Sequence, residues 1–286
     1  MQAYVARVVE SLARLTRRIP VDATASRSWV RADDVRILWY IQTYRDLPRL
    51  RKALARVRAL YPESQILVVS DGDPDPAIPA ICGKHSASFS LRPRLYGVEH
   101  GGELVHRILE AFLATDADVL TKIDPDTSVR RRFALMPPPT DRSIYGTVQS
   151  AGSSRAPSIQ GGCIIVPRQA AILLARSELL LSDRLKPPAL EWAVDARTLA
   201  RARFGLTSSD QTLGWACREL GLDCRHHPEV FSRYRPSLMD AVTQRGVAVF
   251  HPRFEIGHLA NPEFYFSGLR AAVTEALTGR GDITLE

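Results

Sequence analysis

Residues 119–127 of the chain read Val-Leu-Thr-Lys-Ile-Asp-Pro-Asp-Thr, an apolar run followed by two carboxylates on either side of a proline. The apolar run predicts a buried strand from Val119 to Ile123, and Asp-Pro-Asp predicts the turn that follows it. Proline lacks a backbone donor and stiffens such a turn. Lys122 lies two residues before Asp124, so we expect both side chains on the same face of the strand.

Strand and helix patterns alternate in the chain before this segment. Apolar runs at 36–42 and 65–70 predict strands, and periodic patterns at 48–61 and 102–114 predict helices. This alternation indicates an α/β fold with a mixed, mainly parallel sheet flanked by helices. Ligands of such sheets bind at the carboxyl edge of the strands. The polar residues expected at that edge are Thr43, Tyr44, Ser70, Asp71, Asp124 and Asp126.

The second half of the chain has a less regular pattern. We predict strands at 143–148, 161–167 and 246–250, and helices at 169–181 and 209–220. A Gly- and Ser-containing loop at 150–158 precedes the second of these strands.

At 286 residues and 45% hydrophobic content, the chain is long enough for one sizeable core. We expect a catalytic domain at 35–260, an N-terminal helix and linker at 1–34, and a helical tail at 261–286. Residues 4–19 place apolar side chains at helical spacing, with arginines on the other face. Such a helix packs on its own domain or on a second subunit in a homodimer, or it lies on an anionic membrane surface.

The net charge of +7 comes mainly from arginines spread along the chain rather than gathered in one tract. This distribution favours anionic small molecules over nucleic acid as ligands. The four cysteines form no Cys-x-x-Cys pair, which indicates reduced thiols and an intracellular protein. The N-terminal apolar pattern is interrupted by charged residues, so we expect no signal or membrane-spanning segment and a cytoplasmic location.

The two carboxylates after the central strand suggest a metal site. Mg²⁺ and Mn²⁺ take oxygen ligands and leave room for substrate phosphates, so Asp124 and Asp126 suit a metal–diphosphate site. The alternative is an ordinary turn with two solvated acids, because the Asp-x-Asp pattern is common.

Several motifs, in chain order, resemble those of the GT-A glycosyltransferases. Residues 37–46 and 65–75, Ile-Leu-Trp-Tyr-Ile-Gln-Thr-Tyr-Arg-Asp and Gln-Ile-Leu-Val-Val-Ser-Asp-Gly-Asp-Pro-Asp, look like the nucleotide-binding start of the large inverting family. Lys-Ile-Asp-Pro-Asp-Thr at 122–127 is similar to that fold's metal motif. Gln-Gly-Gly-Cys-Ile-Ile-Val-Pro at 160–167 and Ser-Ser-Asp-Gln-Thr-Leu at 208–213 resemble its acceptor-side strand and late acidic helix start.

This resemblance implies roles for individual residues. Asp124 and Asp126 would hold Mn²⁺ or Mg²⁺ with the late histidine His251, for which the adjacent pair His226 and His227 competes. Asp210 would be the general base that takes the acceptor proton; its alternative role is helix capping. The residues that would contact the nucleotide-sugar, a UDP-sugar being favoured, are Thr43, Tyr44, Asp71, Arg107, Lys122, Asp124, Gly161 and Gly162.

Two departures from the family pattern leave parts of this site open. Ser70 stands where the family has its first acidic residue, so the donor base is undetermined. Arg107 matches a diphosphate-contacting arginine only loosely, and a surface helix arginine is its alternative role.

We therefore predict a metal-dependent hexosyltransferase that moves a sugar from a nucleotide-diphosphate donor to the hydroxyl of a small-molecule or glycan acceptor, with inversion favoured. The first alternative is a haloacid-dehalogenase-type phosphatase, because Asp124-Pro-Asp-Thr also resembles that nucleophile motif. The second is a catalytically inactive sugar-binding protein with the same fold. A nucleotidyltransferase would be expected to start with a Gly-rich phosphate loop, which residues 41–46 do not form.

Overall fold

A computed structural model describes residues 29–95, 100–149, 157–182, 185, 208–233 and 248–252. The predicted N-terminal helix at 4–19, the C-terminal tail and most of the loop at 150–158 lie outside the described residues. The predicted contacts of that helix with a membrane or a second subunit therefore stay predictions.

The described residues form short and long strands joined by helices. In chain order the helices are α1 (Leu47–Leu60), α2 (Ala77–Lys84), α3 (Gly101–Leu113), α4 (Arg168–Arg176) and α5 (Ser209–Glu219). The strands are β1 (Val30–Arg31), β2 (Ile37–Thr43), β3 (Gln65–Asp71), β4 (Ser88–Arg92), β5 (Val119–Ile123), β6 (Ser128–Val129), β7 (Leu135–Met136), β8 (Ile144–Gln149), β9 (Ser158–Pro167), β10 (Cys224–His226), β11 (Val230–Arg233) and β12 (Val249–Pro252).

The main sheet has the strand order β10-β8-β9-β5-β2-β3-β4. Strands β5, β2, β3 and β4 run parallel to one another, and β10 runs parallel to β8. Strand β9 is antiparallel to both of its neighbours, β5 and β8. The predicted fold class, a mixed and mainly parallel α/β sheet flanked by helices, is confirmed.

Alternate residues of β2 face two different cores. Trp39 and Ile41 pack with the apolar residues of α1, whereas Leu38 and Tyr40 pack with those of α3. A strand buried on both faces has a continuous apolar sequence, as residues 37–41 do. The sheet is therefore a middle layer between helices.

The chain contains elements that its local pattern did not predict. Helix α2 begins at Ala77, within the Pro- and Asp-rich residues 71–79 that favour a turn, and β4 extends the parallel sheet beyond β3. Strand β4 lies at the sheet edge and contains no fully buried residue. Such a strand lacks the apolar run that marks a central one, so only its pairing with β3 defines it.

Three predicted boundaries need correction. The helix predicted at 169–181 ends at Arg176, because Glu178 adopts a left-handed conformation (φ 56°) before a short 3₁₀ turn. Strand β9 starts at Ser158, within the predicted loop. The last predicted strand runs from Val249 to Pro252 rather than from 246 to 250.

The predicted linker that ends at residue 34 is described from Trp29 onwards, and that part packs against the rest of the fold. Strand β1 pairs with β7, and the Trp29 ring lies against Tyr145 and His227 at centroid distances of 5.3 and 5.1 Å. A second small sheet has the order β11-β12-β6. Among the described helices, we find none with the length and apolar character needed to cross a bilayer.

Candidate active site

Lys122 in β5 lies at the centre of a group of carboxylates. Its Nζ donates to Oδ1 of Asp124 at 2.5 Å and to the Gly161 carbonyl at 2.7 Å. Burial by itself would lower the pKa of Lys122, but the carboxylates of Asp124, Asp210 and Asp126 outweigh it and raise that pKa. Lys122 therefore stays protonated, and aspartates from two distant segments, Asp124 and Asp126 in one and Asp210 in the other, act on one cation.

The turn after β5 is fastened to the neighbouring strand β9. The Thr127 amide donates to the Asp124 carbonyl at 3.0 Å, which closes the turn. The Thr127 hydroxyl donates to the Gly162 carbonyl at 2.6 Å. These bonds place the partly exposed Asp126 at the carboxyl edge of the parallel strands, where the sequence predicted it.

Asp210 is brought to the same place by the first turn of α5. Its Oδ2 accepts a hydrogen bond from the Gly161 amide at 2.7 Å. The helix cap is Ser208, which forms a capping box with Gln211. The alternative role of Asp210 as the capping residue is therefore wrong, because Ser208 fills it.

Glycine at position 161 allows this approach of Asp210. A Cβ atom added there would lie 2.6 Å from Asp210 Oδ1, closer than real Cβ contacts allow. The Gly161 carbonyl also accepts from Lys122, so one residue contacts both sides of the site. The Gly162 carbonyl accepts from the Thr127 hydroxyl of the acidic turn.

Replacing Gly161 with alanine should push the Asp210 carboxylate away from its amide partner. We expect the free energy of unfolding to fall by about 1–3 kcal/mol, the usual cost of overpacking. Denaturant unfolding of Gly161→Ala, with Gly83→Ala as the control, measures this effect, because Gly83 has open space around its Cα. Equal stability of the two variants would contradict the close contact.

The start of α3 also depends on glycine. A Cβ atom at Gly102 would lie 1.9 Å from the Leu180 carbonyl oxygen, and one at Gly101 would lie 2.8 Å from the Ser209 amide nitrogen. The Gly-Gly pair therefore lets the N-terminus of α3 lie directly against that of α5. Sequence reasoning placed this pair only at a helix start and missed its role in positioning Asp210.

Three of the residues predicted to contact the nucleotide-sugar, Thr43, Tyr44 and Asp71, lie at the ends of β2 and β3. Thr43 is buried, and the Tyr44 ring lies under the Arg94 guanidinium, whose Cζ is 3.4 Å from the ring centroid. Asp71 accepts from the Leu95 amide at 2.7 Å, and burial raises its pKa although that bond and the charge of Arg94 oppose the rise. The structure thus brings Arg94, a residue the sequence did not single out, to the same edge.

Asp73 is a second residue that sequence reasoning missed. Its carboxylate accepts from the amides of Arg45 at 3.0 Å and Asp75 at 3.2 Å. The buried Ser70 hydroxyl donates to the Asp73 carbonyl at 2.6 Å. The Asp73 carboxylate therefore connects the loops after β2 and β3, and the Ser70 hydroxyl holds the turn at Asp73. The dense Asp-Gly-Asp-Pro-Asp sequence was the available signal, since aspartates in turns bond to nearby amides.

Arg107 on α3 donates to Glu103 Oε1 at 2.6 Å, one helical turn away. Its charge also acts on Asp71, although it contributes less there than Arg94 does. This placement fits a helix-surface ion pair close enough to influence Asp71.

The histidines predicted to compete for the metal occupy different environments. His227 is buried among aromatic rings, its Nδ1 accepts from the Glu229 amide at 3.2 Å, and burial lowers its pKa to about 4. The suggestion that His227 is a metal ligand is therefore wrong, because it is a core residue. His226 is exposed on β10 and accepts from the Val148 amide at 3.3 Å. His251 lies on β12 opposite Ser232 in β11.

Within the described ranges, no three histidine, cysteine, aspartate or glutamate side chains are placed to enclose a metal ion. Asp124 and Asp126 nevertheless fit a metal that also binds substrate phosphates, because Mg²⁺ in such sites takes only one or two protein carboxylates.

Comparisons with known proteins find a likeness at the level of structure. No protein-family model matches the chain, and no curated protein matches it. Among solved structures, the mannosyltransferase PcManGT from Pyrobaculum calidifontis, in complex with GDP-Man and Mn²⁺, is similar with a TM-score of 0.37 and 14% identity. The match covers 53% of this chain and 50% of that one, so it spans about half the length of that structure.

Proposed function

We propose that residues 35–260 form a metal-dependent glycosyltransferase domain of the GT-A type. It would move a sugar from a nucleotide-diphosphate donor to an acceptor hydroxyl, with inversion at the sugar carbon. The observation that carries this proposal is the convergence of Asp124, Asp126 and Asp210 on Lys122 at the carboxyl edge of the parallel strands. A cytoplasmic location is part of the same proposal.

The two ends of the acidic turn have different proposed roles. Asp124 is bonded to Lys122, so Asp126 is proposed as the main ligand of Mn²⁺ or Mg²⁺, with His251 as a further ligand. The cation, when bound, neutralises charge on the diphosphate leaving group. Lys122 keeps Asp124 in a fixed position beside the metal ligand.

The remaining residues would hold the two substrates. Thr43, Tyr44 and Asp71 are proposed to contact the nucleoside, because they end β2 and β3 beside the acidic turn. Asp210 is proposed as the general base for the acceptor hydroxyl. The Gly161 amide fixes the direction of this carboxylate, and in an inverting transfer one base completes a single displacement.

Nucleotide-dependent stabilisation tests this function. Thermal unfolding is measured with UDP, GDP, TDP and ADP, each with and without Mn²⁺. A nucleotide at a hundred times its Kd adds about 2.7 kcal/mol of stability, which raises the Tm by a few degrees for a domain of this size. We expect one nucleotide to stabilise the protein only with Mn²⁺, and Asp126→Ala to abolish that shift.

The control for this experiment is Asp34→Ala, which removes an exposed aspartate in the short helical turn before β2. It should leave the nucleotide shift intact. Failure of every nucleotide to stabilise the wild-type protein, together with hydrolysis of small phosphoesters, would overturn the proposal in favour of a phosphatase.

A further inference from the structure

A basic groove runs beside the proposed metal ligand, between α1 and residues 125–130. Its volume is about 690 Å³, within the usual range for small-molecule sites. Small alanine side chains of α1 form part of its wall. Its charged lining residues are Arg49, Lys52, Arg56, Arg130 and Asp126.

The spacing of the α1 residues explains why they share this groove. Positions 49, 52 and 56 differ by three and four, so their side chains project from one face of the helix. The guanidinium of Arg56 is held in place by bonds to the backbone carbonyls of Val129, at 2.8 Å, and Arg130. At least one cation of the groove, Arg56, is therefore held in a defined position.

The positive charge of the groove exceeds its negative charge. Asp46, at 3.1 Å from Arg49, offsets that one cation. Lys52 and Arg56 line the groove together with the single carboxylate of Asp126. Burial lowers the pKa of Arg130, so its charge is incompletely solvated.

The composition of the groove indicates the class of its ligand. Arginine and lysine side chains attract phosphate oxygens through charge-assisted hydrogen bonds, and several cations together suit a dianion. Thr43, Tyr44 and Asp71, which are proposed to contact the nucleoside, are not among the described residues that line the groove. It does include Asp126, so its ligand would lie next to the leaving group.

We propose that this groove binds a phosphoryl group of the acceptor, so that the enzyme glycosylates a phosphorylated compound. The identification of the ligand as an acceptor rests on the proposed function. The identification of its phosphoryl group rests on the groove itself.

Titration calorimetry with glucose 1-phosphate, in EDTA to exclude the metal site, tests the phosphate assignment. The wild-type protein should bind this probe and should not bind glucose. Lys52→Glu should weaken binding about tenfold or more, the usual effect of losing one charge-assisted hydrogen bond. Lys52→Arg should retain it. Arg51→Glu, the same charge change on an exposed neighbour outside the groove, should have a much smaller effect.

A second probe, dihexanoyl phosphatidic acid, distinguishes a lipid phosphate from a sugar phosphate by which of the two binds more tightly. Equal losses in Lys52→Glu and Arg51→Glu, or no binding of either phosphate, would overturn the inference.

Nucleotide binding with Mn²⁺, measured on the same variants, separates the two proposals. An unchanged nucleotide shift in Lys52→Glu supports the acceptor assignment, whereas its loss would show that the groove holds the donor diphosphate instead. If no nucleotide binds but Lys52 still controls phosphate binding, the glycosyltransferase proposal fails and the phosphate site stands.

Discussion

Replacing Asp210 with asparagine should lower the rate of donor cleavage by about a hundredfold to ten-thousandfold. This is the contribution of a positioned general base, and an amide does not take a proton at neutral pH. The side-chain oxygen of the introduced asparagine can still accept from the Gly161 amide, so the fold and the position of α5 should be retained. The measurement is the steady-state release of nucleoside diphosphate from the sugar form of whichever nucleotide stabilises the protein.

Ser208→Ala provides the matched control for this variant. It removes the cap of the same helix, which costs about 1 kcal/mol of stability, and leaves the carboxylate in place. We expect Ser208→Ala to lower the Tm with little effect on the rate, and Asp210→Asn to do the reverse. A rate for Asp210→Asn close to that of the wild type would exclude Asp210 as the base.

Replacing Lys122 with methionine should lower the free energy of unfolding by about 3–5 kcal/mol, the usual cost of removing one partner of a buried ion pair. The Lys122 side chain is only 12% exposed, and its loss removes the cation that contacts Asp124 and acts on Asp210 and Asp126. Urea denaturation gives this difference directly, because the midpoint shifts in proportion to stability.

The double variant Lys122→Met with Asp124→Asn tests the reason for that loss. Removing one carboxylate as well should restore part of the stability, since fewer like charges then remain close together. Mn²⁺ should stabilise Lys122→Met more than it stabilises the wild type, because a bound cation would replace the missing charge. Additive losses in the double variant would show that the pair is not coupled.

The order of elements at the centre of the sheet could be predicted from the sequence because its signals are local. The strand at Val119–Ile123 was predicted with its observed bounds, since a run of buried apolar residues is visible in any short window. Strand β4 was missed because it is an edge strand whose residues are partly or fully exposed. Its identity depends on pairing with β3, which no local pattern shows.

The residues of the candidate site also differ in whether a local sequence pattern predicts them. Asp124 and Asp126 were placed at a strand end by their own neighbours in the sequence, whereas Arg94 and Asp73 were missed. Arg94 reaches the site because Gly72, at φ 78°, leaves room for its Cβ atom. The Asp73 carboxylate accepts a hydrogen bond from the loop after β2. Both contacts join segments that are distant along the chain.

The sequence by itself determined the α/β class, the parallel core strands and the acidic turn at one sheet edge, because apolar periodicity and turn chemistry act between near neighbours. Only the tertiary structure decided that Asp210 lies against Gly161 and that Lys122 is the cation shared by three aspartates. It also decided that His227 is a core residue. Burial and charge pairing arise when distant segments pack together, so these properties belong to the folded chain and not to any stretch of it.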